Sequence, residues 1–308
     1  MNQQKIDFAV GGQALIEGVM MRSPNYIAMA VRKPDGSIKV KDYPYKTFIQ
    51  RHKWANIALV RGVINMIEMM GIGMKAIDFS ANEFVEEEGD KDKEPSKFWS
   101  TLFFVFNMVF AFIFAIMLFK FLPLWITELI NEISPAVQDN FILYNSIDGI
   151  LKLAIFTLYI VVIMISKTIR RVFEYHGAEH KAVFNYEADI ALTPENSAKQ
   201  SRFHPRCGTS FIIFVFVISI IVYTFIPRHP DFWLHLGRRL LVLPVIAGIS
   251  YEVLKASAKN INTWWVKILT IPGMLFQRLT TSEPDEEQLE VAIAALKRTL
   301  ELENEGKN

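Results

Sequence analysis

The sequence predicts a mainly α-helical polytopic membrane protein of about four transmembrane helices, with a small β-rich cytoplasmic region at its amino-terminal end. Three observations predict it. The 308 residues are 51% hydrophobic and include 24 Phe, an apolar share above that of ordinary soluble domains. Several segments after residue 97 are long enough and apolar enough to cross a bilayer, which takes about 20 residues. Before residue 50 the chain reads instead as short strands separated by turn residues.

Residues 1–50 form the β-meander region. Apolar stretches Gln13 to Met21 and Tyr26 to Val31 are parted by Ser23-Pro24-Asn25, and Lys33-Pro34-Asp35-Gly36 turns the chain into Ser37 to Tyr43. Gly11-Gly12 lacks the rest of a phosphate-loop pattern and reads as a strand-entry turn. Residues 51–97 hold an amphipathic helix and a charged linker. Arg61, Asn65, Glu68, Lys75 and Asp78 share one face of the helix, which predicts a segment lying on the membrane or packed on the bundle. The linker, Val85 to Lys97, is too charged to bury.

Residues 98–260 form the transmembrane region. Its spans are Phe98 to Phe121, Gly149 to Ser166 with Lys152 free to snorkel, Thr209 to Ile226, and the short Leu240 to Leu254, broken by Pro244 and Gly248. The loop from Pro123 to Ser146 has no Lys or Arg, whereas the loop 167–208 opens with Lys167, Arg170 and Arg171. The first is therefore expected outside and the second in the cytoplasm, with both termini cytoplasmic. Arg228, Arg238 and Arg239 in the third loop run against that orientation. Residues 261–308 give an interfacial helix after Trp264-Trp265, and a C-terminal amphipathic helix starting at Ser282 as N-cap.

Net charge is +1, so no nucleic-acid partner is expected, and one cysteine excludes an internal disulfide. No basic stretch followed by an apolar run opens the chain, so no cleaved signal peptide is expected. The partners this composition calls for are a lipid bilayer and membrane proteins.

Chemistry concentrates in the cytoplasmic His/Cys loop. His176-Gly177-Ala178-Glu179-His180 is an H-x-x-E-H string, and residues four apart on a helix can reach one metal ion, here zinc or another divalent metal. Glu179 is the candidate general base. The remaining ligands are open: His204 and Cys207 have the spacing of a structural site, and Glu252 is a distant third-ligand candidate. Four protein ligands would make a closed structural site, and three would leave a position for catalysis.

The motifs GGQALIEGVMMR (Gly11 to Arg22), EYHGAEHKAVFNYE (Glu174 to Glu187) and SRFHPRCGTSF (Ser201 to Phe211) resemble the bacterial multi-pass membrane family typified by YqhQ. The resemblance implies a bacterial cytoplasmic-membrane protein of a family labelled metal-dependent enzymes, with His176, Glu179, His180, His204 and Cys207 as the positions to test. It also draws attention to Glu17, read here as an edge-strand residue facing water. It supplies no small-molecule substrate. Two functions follow as expectations: a metal-dependent hydrolase, or a non-enzymatic membrane assembly factor. A transporter ranks third, because charge within the spans reads as sparse.

Overall fold

The computed structural model describes residues 10–85, 97–260 and 263–306; most of the charged linker lies outside them. Strands β1 (Gly11–Leu15), β2 (Gly18–Arg22), β3 (Tyr26–Arg32) and β4 (Ile38–Pro44) pair antiparallel in that order, as the turn signals predict. The stretch Gln13 to Met21 is not one strand. It folds back at Ile16-Glu17, where Glu17 takes a left-handed φ of 50° and its carbonyl accepts from the Arg32 N–H at 2.8 Å. Glu17 therefore does not face water from an edge strand. Its carboxylate receives Arg171 Nε at 2.5 Å and the Tyr175 hydroxyl at 3.2 Å.

The sheet is covered on both sides, which explains why β2 and β3 are apolar throughout rather than alternating. Helices α1 (Val60–Val85), α5 (Lys167–Glu187) and α10 (Glu286–Glu305) are responsible. Val19, Met21 and Ala30 share a core with Tyr175 and Ala178 of α5 and with Leu289, Ala292 and Leu296 of α10. The opposite pleat, Leu15, Met20, Ile27 and Met29, packs on Ile72 and Ala76 of α1. The first half of the polar face of α1 is spent on neighbours, while Lys75 and Asp78 are exposed. Arg61 is bidentate on Glu252, Asn65 donates to the Tyr251 hydroxyl at 2.7 Å, and Glu68 accepts from the Phe48 N–H at 2.8 Å.

Helix α10 starts three residues later than its sequence suggests. Asp285 caps it in a reciprocal box with Gln288, while the Ser282 N–H goes to the Phe173 carbonyl at 2.9 Å. Near its end Glu303, 4% exposed, accepts from the Ser23 hydroxyl at 2.6 Å and from Asn25 Nδ2 at 2.6 Å, clasping α10 to the β2–β3 turn. Glu303→Gln puts an amide donor among these donors. It is expected to cost about 1–3 kcal/mol, read as a lower Tm of the detergent-purified protein. An unchanged Tm would show that the clasp adds nothing.

Three of the four apolar stretches are longer than the sequence segments, the exception being the third. Helix α2 (Lys97–Ile116) runs through a π-type turn, Met117–Phe121, into α3 (Leu122–Ile133). Pro123 falls in the first turn of α3, where its missing N–H costs nothing, so the predicted loop Pro123 to Ser146 is largely helical. Helix α4 (Phe141–Ile163) begins eight residues before Gly149, capped by Asn140. Helix α6 (Gly208–Thr224) has 17 residues. Helices α7 (Phe232–Leu241) and α8 (Leu243–Lys259) run almost end to end, with Pro244 again in a first turn. Among the described residues three helical stretches are long and apolar enough to cross a membrane: Val105–Ile133, Phe141–Ile163 and Phe232–Ser257. Helix α9 (Trp264–Thr280) packs on α4 and α6 through Phe276 and leaves an apolar stripe of Trp264, Ile268, Ile271 and Leu275 exposed.

Two charge expectations change. Lys152 does not snorkel: it is 1% exposed and ion-paired with Asp148 inside the bundle. Two of the third-loop arginines are paired: Arg239, buried, with Asp148 at 2.5 Å, and Arg228, exposed, with Glu128 at 2.6 Å.

Candidate metal centre

Helix α5 brings His176 and His180 to one face, their ring centroids 4.4 Å apart. The loop before α6 lays Cys207 against them, with His176 Nε2 3.2 Å from Cys207 Sγ. One ligand atom from each of His176, His180 and Cys207 lies within 4.8 Å of the others. Cys207 is also the N-cap of α6, so the start of that helix fixes its position.

Both imidazoles are oriented from behind. His176 Nδ1 donates to the Thr280 carbonyl at 2.8 Å and His180 Nδ1 to the Arg202 carbonyl at 2.5 Å. A ring that spends its Nδ1 proton on a carbonyl leaves the Nε2 lone pair free, which is how proteins usually prepare a histidine ligand. Burial lowers the pKa of His180, against the opposing pull of Cys207, and so favours neutral imidazole.

Glu179 is 7% exposed and accepts the Gly12 N–H at 3.0 Å. Burial raises its pKa, with His176 and the Gly12 N–H opposing. Gly12 is required on steric grounds. A Cβ there would lie 2.3 Å from the Met20 carbonyl oxygen and 3.2 Å from the Glu179 carboxyl carbon. A cavity of about 110 Å³ lies between Gly11-Gly12 and Glu179, His180, His204, Arg206 and Cys207.

His204 stands beside the cluster without joining it. Its Nδ1 accepts the Arg206 N–H at 3.2 Å, and its Nε2 lies 3.4 Å from Glu187, which also pairs with Arg206. Burial pushes the Glu187 carboxyl up, but His204 and Arg206 outweigh it and hold the group below its usual range. Gln277 fixes the backbone of His204 from both sides, at 2.8 Å each. Glu252 is not brought to the histidines, since Arg61 takes its carboxylate.

The structure thus gathers His176, His180 and Cys207, with Glu179 alongside, and sets His204 and Glu252 apart. Sequence reasoning missed Gly12, Arg202, Gln277 and Thr280. Three of these four act through backbone atoms, which no side-chain pattern encodes. Only Gly12, in a conspicuous Gly-Gly pair, left a signal.

A family model described as a protein of unknown function, DUF1385, matches residues 57–302. The chain is 35% identical over 312 residues to the uncharacterized protein YqhQ of Bacillus subtilis (strain 168), covering 98% of this chain and 96% of that one. No solved structure matches it. Family membership therefore rests on nearly the whole length, and the chain belongs to the DUF1385 family.

Proposed function

We propose that the chain is a multi-pass protein of the bacterial cytoplasmic membrane and a metal-dependent hydrolase, with its centre on the cytoplasmic face. The observation that carries the chemical part is the pair of imidazoles pinned through Nδ1 to the Thr280 and Arg202 carbonyls, beside Cys207 and an open cavity. Two imidazoles and one sulfur suit zinc, and three protein ligands are the number found where a position stays open for substrate. Zinc held there would polarise a scissile carbonyl or phosphoryl oxygen. Glu179, steadied by the Gly12 N–H, takes the proton from the attacking water and returns it to the leaving group.

The membrane part rests on parity. The sheet near the amino terminus, α5 in mid-chain and α10 near the carboxyl terminus share one core, so they lie on one side of any bilayer. The chain between β4 and α5 must then cross an even number of times, and so must the chain between α5 and α10. Helices α2–α3 and α4 supply the first two crossings. Helices α7–α8 supply one of the second two, and α6 the other. At 17 residues α6 spans about 26 Å, close to the hydrocarbon thickness. That gives four spans, with both termini and the loop 167–208 on the cytoplasmic side. Of the third-loop arginines that run against this orientation, Arg239 is buried on Asp148 and Arg228 is paired with Glu128, which leaves Arg238.

Elemental mass spectrometry of zinc-supplied, detergent-purified protein tests the centre. About one zinc per chain is expected in wild type, His204→Ala and Glu179→Gln, and little in His180→Ala or Cys207→Ala. Glu179→Gln is further expected to lower hydrolysis of a chromogenic ester or phosphate ester by about 100-fold. A metal-free, folded wild type would retire the reading. Full activity in Glu179→Gln would remove Glu179 as the base, and a zinc-loaded wild type without hydrolytic activity would turn the reading towards an assembly factor with a structural metal.

A further inference from the structure

At the far end of the bundle from the histidines lies a second group of buried charges that the hydrolase reading does not use. Asp148 and Lys152 lie one turn apart on α4 and are each 1% exposed. Arg239 of α7, 3% exposed, donates to Asp148 at 2.5 Å and to Asn145 Oδ1 at 2.6 Å. Lys120 reaches the same place from the π-type turn between α2 and α3. The ring of Tyr223 gathers all three cations, with Lys120 at 5.7 Å, Lys152 at 4.8 Å and Arg239 at 4.7 Å from its centre. The neighbouring pair of Arg228 and Glu128 is complete in itself, since Glu128 also takes the Tyr144 hydroxyl at 2.6 Å.

Among the described residues, three cations here face one carboxylate, Asp148. An uncompensated charge in a low-dielectric interior is costly, and intramembrane charge persists where it has a partner or a task. The polar atoms left over show where the compensation belongs. Arg239 Nε, Asp148 Oδ1 and both ring nitrogens of His235, a residue with no exposed surface, are buried without a hydrogen-bond partner. His235 sits one helical turn before Arg239, with its ring 6.2 Å from that of Tyr144. Orphaned polar atoms on α4 and α7 and an excess of positive charge therefore lie together in this part of the bundle.

We propose that this cluster binds one small inorganic anion, of the size and charge of chloride. Lys120, Lys152, Arg239 Nε and an N–H of His235 supply the donors. Asp148, Lys152, Arg239 and His235 are 0–3% exposed and Lys120 is partly buried, which favours a small ion over a bulky lipid headgroup. The π-type turn has a reason in this account: the extra residue in that turn swings Lys120 inward, and such turns collect at functional sites. The proposal is independent of the metal centre.

The test uses the full chain in detergent, with chloride exchanged for gluconate at constant ionic strength. Chloride is expected to raise Tm saturably, by about 5 °C, and to give an excess 35Cl NMR linewidth that titrates away when the protein is denatured. Lys120→Met is expected to weaken both effects at least tenfold, and Lys120→Arg to keep them. The Arg variant also controls for folding. Identical Tm in the two salts with no excess linewidth overturns the site, as does linewidth that survives in Lys120→Met. Inorganic phosphate matching the chloride effect would place the ion on an open surface and would also overturn it.

Discussion

Asp148→Asn is expected to destabilise the protein by about 3–5 kcal/mol, the usual cost of leaving buried charges without their partner. The substitution keeps the shape of the side chain, so packing contributes little. What it removes is the single carboxylate that faces Lys152 and Arg239. Lys152→Met is expected to cost far less, because the pair of Asp148 and Arg239 remains and the Met side chain fills the space. Thermal unfolding in one detergent, with both variants side by side, measures the asymmetry. Equal losses would mean that Asp148 is not the counter-charge of the cluster.

Gly177→Ala is expected to destabilise by about 2 kcal/mol and to weaken zinc binding by about tenfold. Helix propensity alone says the reverse, since Ala is favoured over Gly by about 1 kcal/mol in a helix interior. The structure decides between them. A Cβ on Gly177 would lie 2.1 Å from the Ser282 carbonyl oxygen, a backbone atom with little room to yield. Residues 280–284 cross α5 at this point, held by the Ser282 N–H on the Phe173 carbonyl. The same segment carries the Thr280 carbonyl that orients His176. Pushing it away from α5 therefore loosens the ligand as well as the packing. Metal titration alongside thermal unfolding separates the two losses. A more stable Gly177→Ala that binds zinc as wild type does would show that the crossing is loose.

The sequence displays those features that depend on neighbours along the chain. Turn residues at Ser23-Pro24-Asn25 and Lys33-Pro34-Asp35-Gly36 announce the hairpins, and the spacing of His176 and His180 announces a shared helix face. Features that depend on distant partners were misread or missed. Glu17 looks like a stray acid until Arg171 arrives from 154 residues away. Lys152 looks able to snorkel, yet Asp148 one turn earlier on its own helix holds it inside the bundle, beside Arg239 of α7. Pro123 and Pro244 looked like breaks, yet both occupy first turns, where proline is tolerated. Glu252 sits near the expected end of a span, but nothing in its surroundings announces that Arg61 will occupy it. For Glu17 and Glu252 a local rule was applied correctly, and a tertiary contact then outweighed it.

The covering of the sheet by α10 bears on the order in which the molecule can be made. The strands leave the ribosome first, and the helix that shields Val19, Met21 and Ala30 is translated last. About 250 residues separate β3 from α10, and at ~5–20 residues per second that interval is roughly 12–50 s. During it, one apolar face of the meander is without its C-terminal cover while the intervening helices enter the bilayer. A nascent chain halted before residue 286 should therefore recruit a holdase or aggregate, and a chain released at full length should not. Supplying α10 as a separate peptide should rescue the truncated chain, because the groove between the sheet and α5 is already built to receive it.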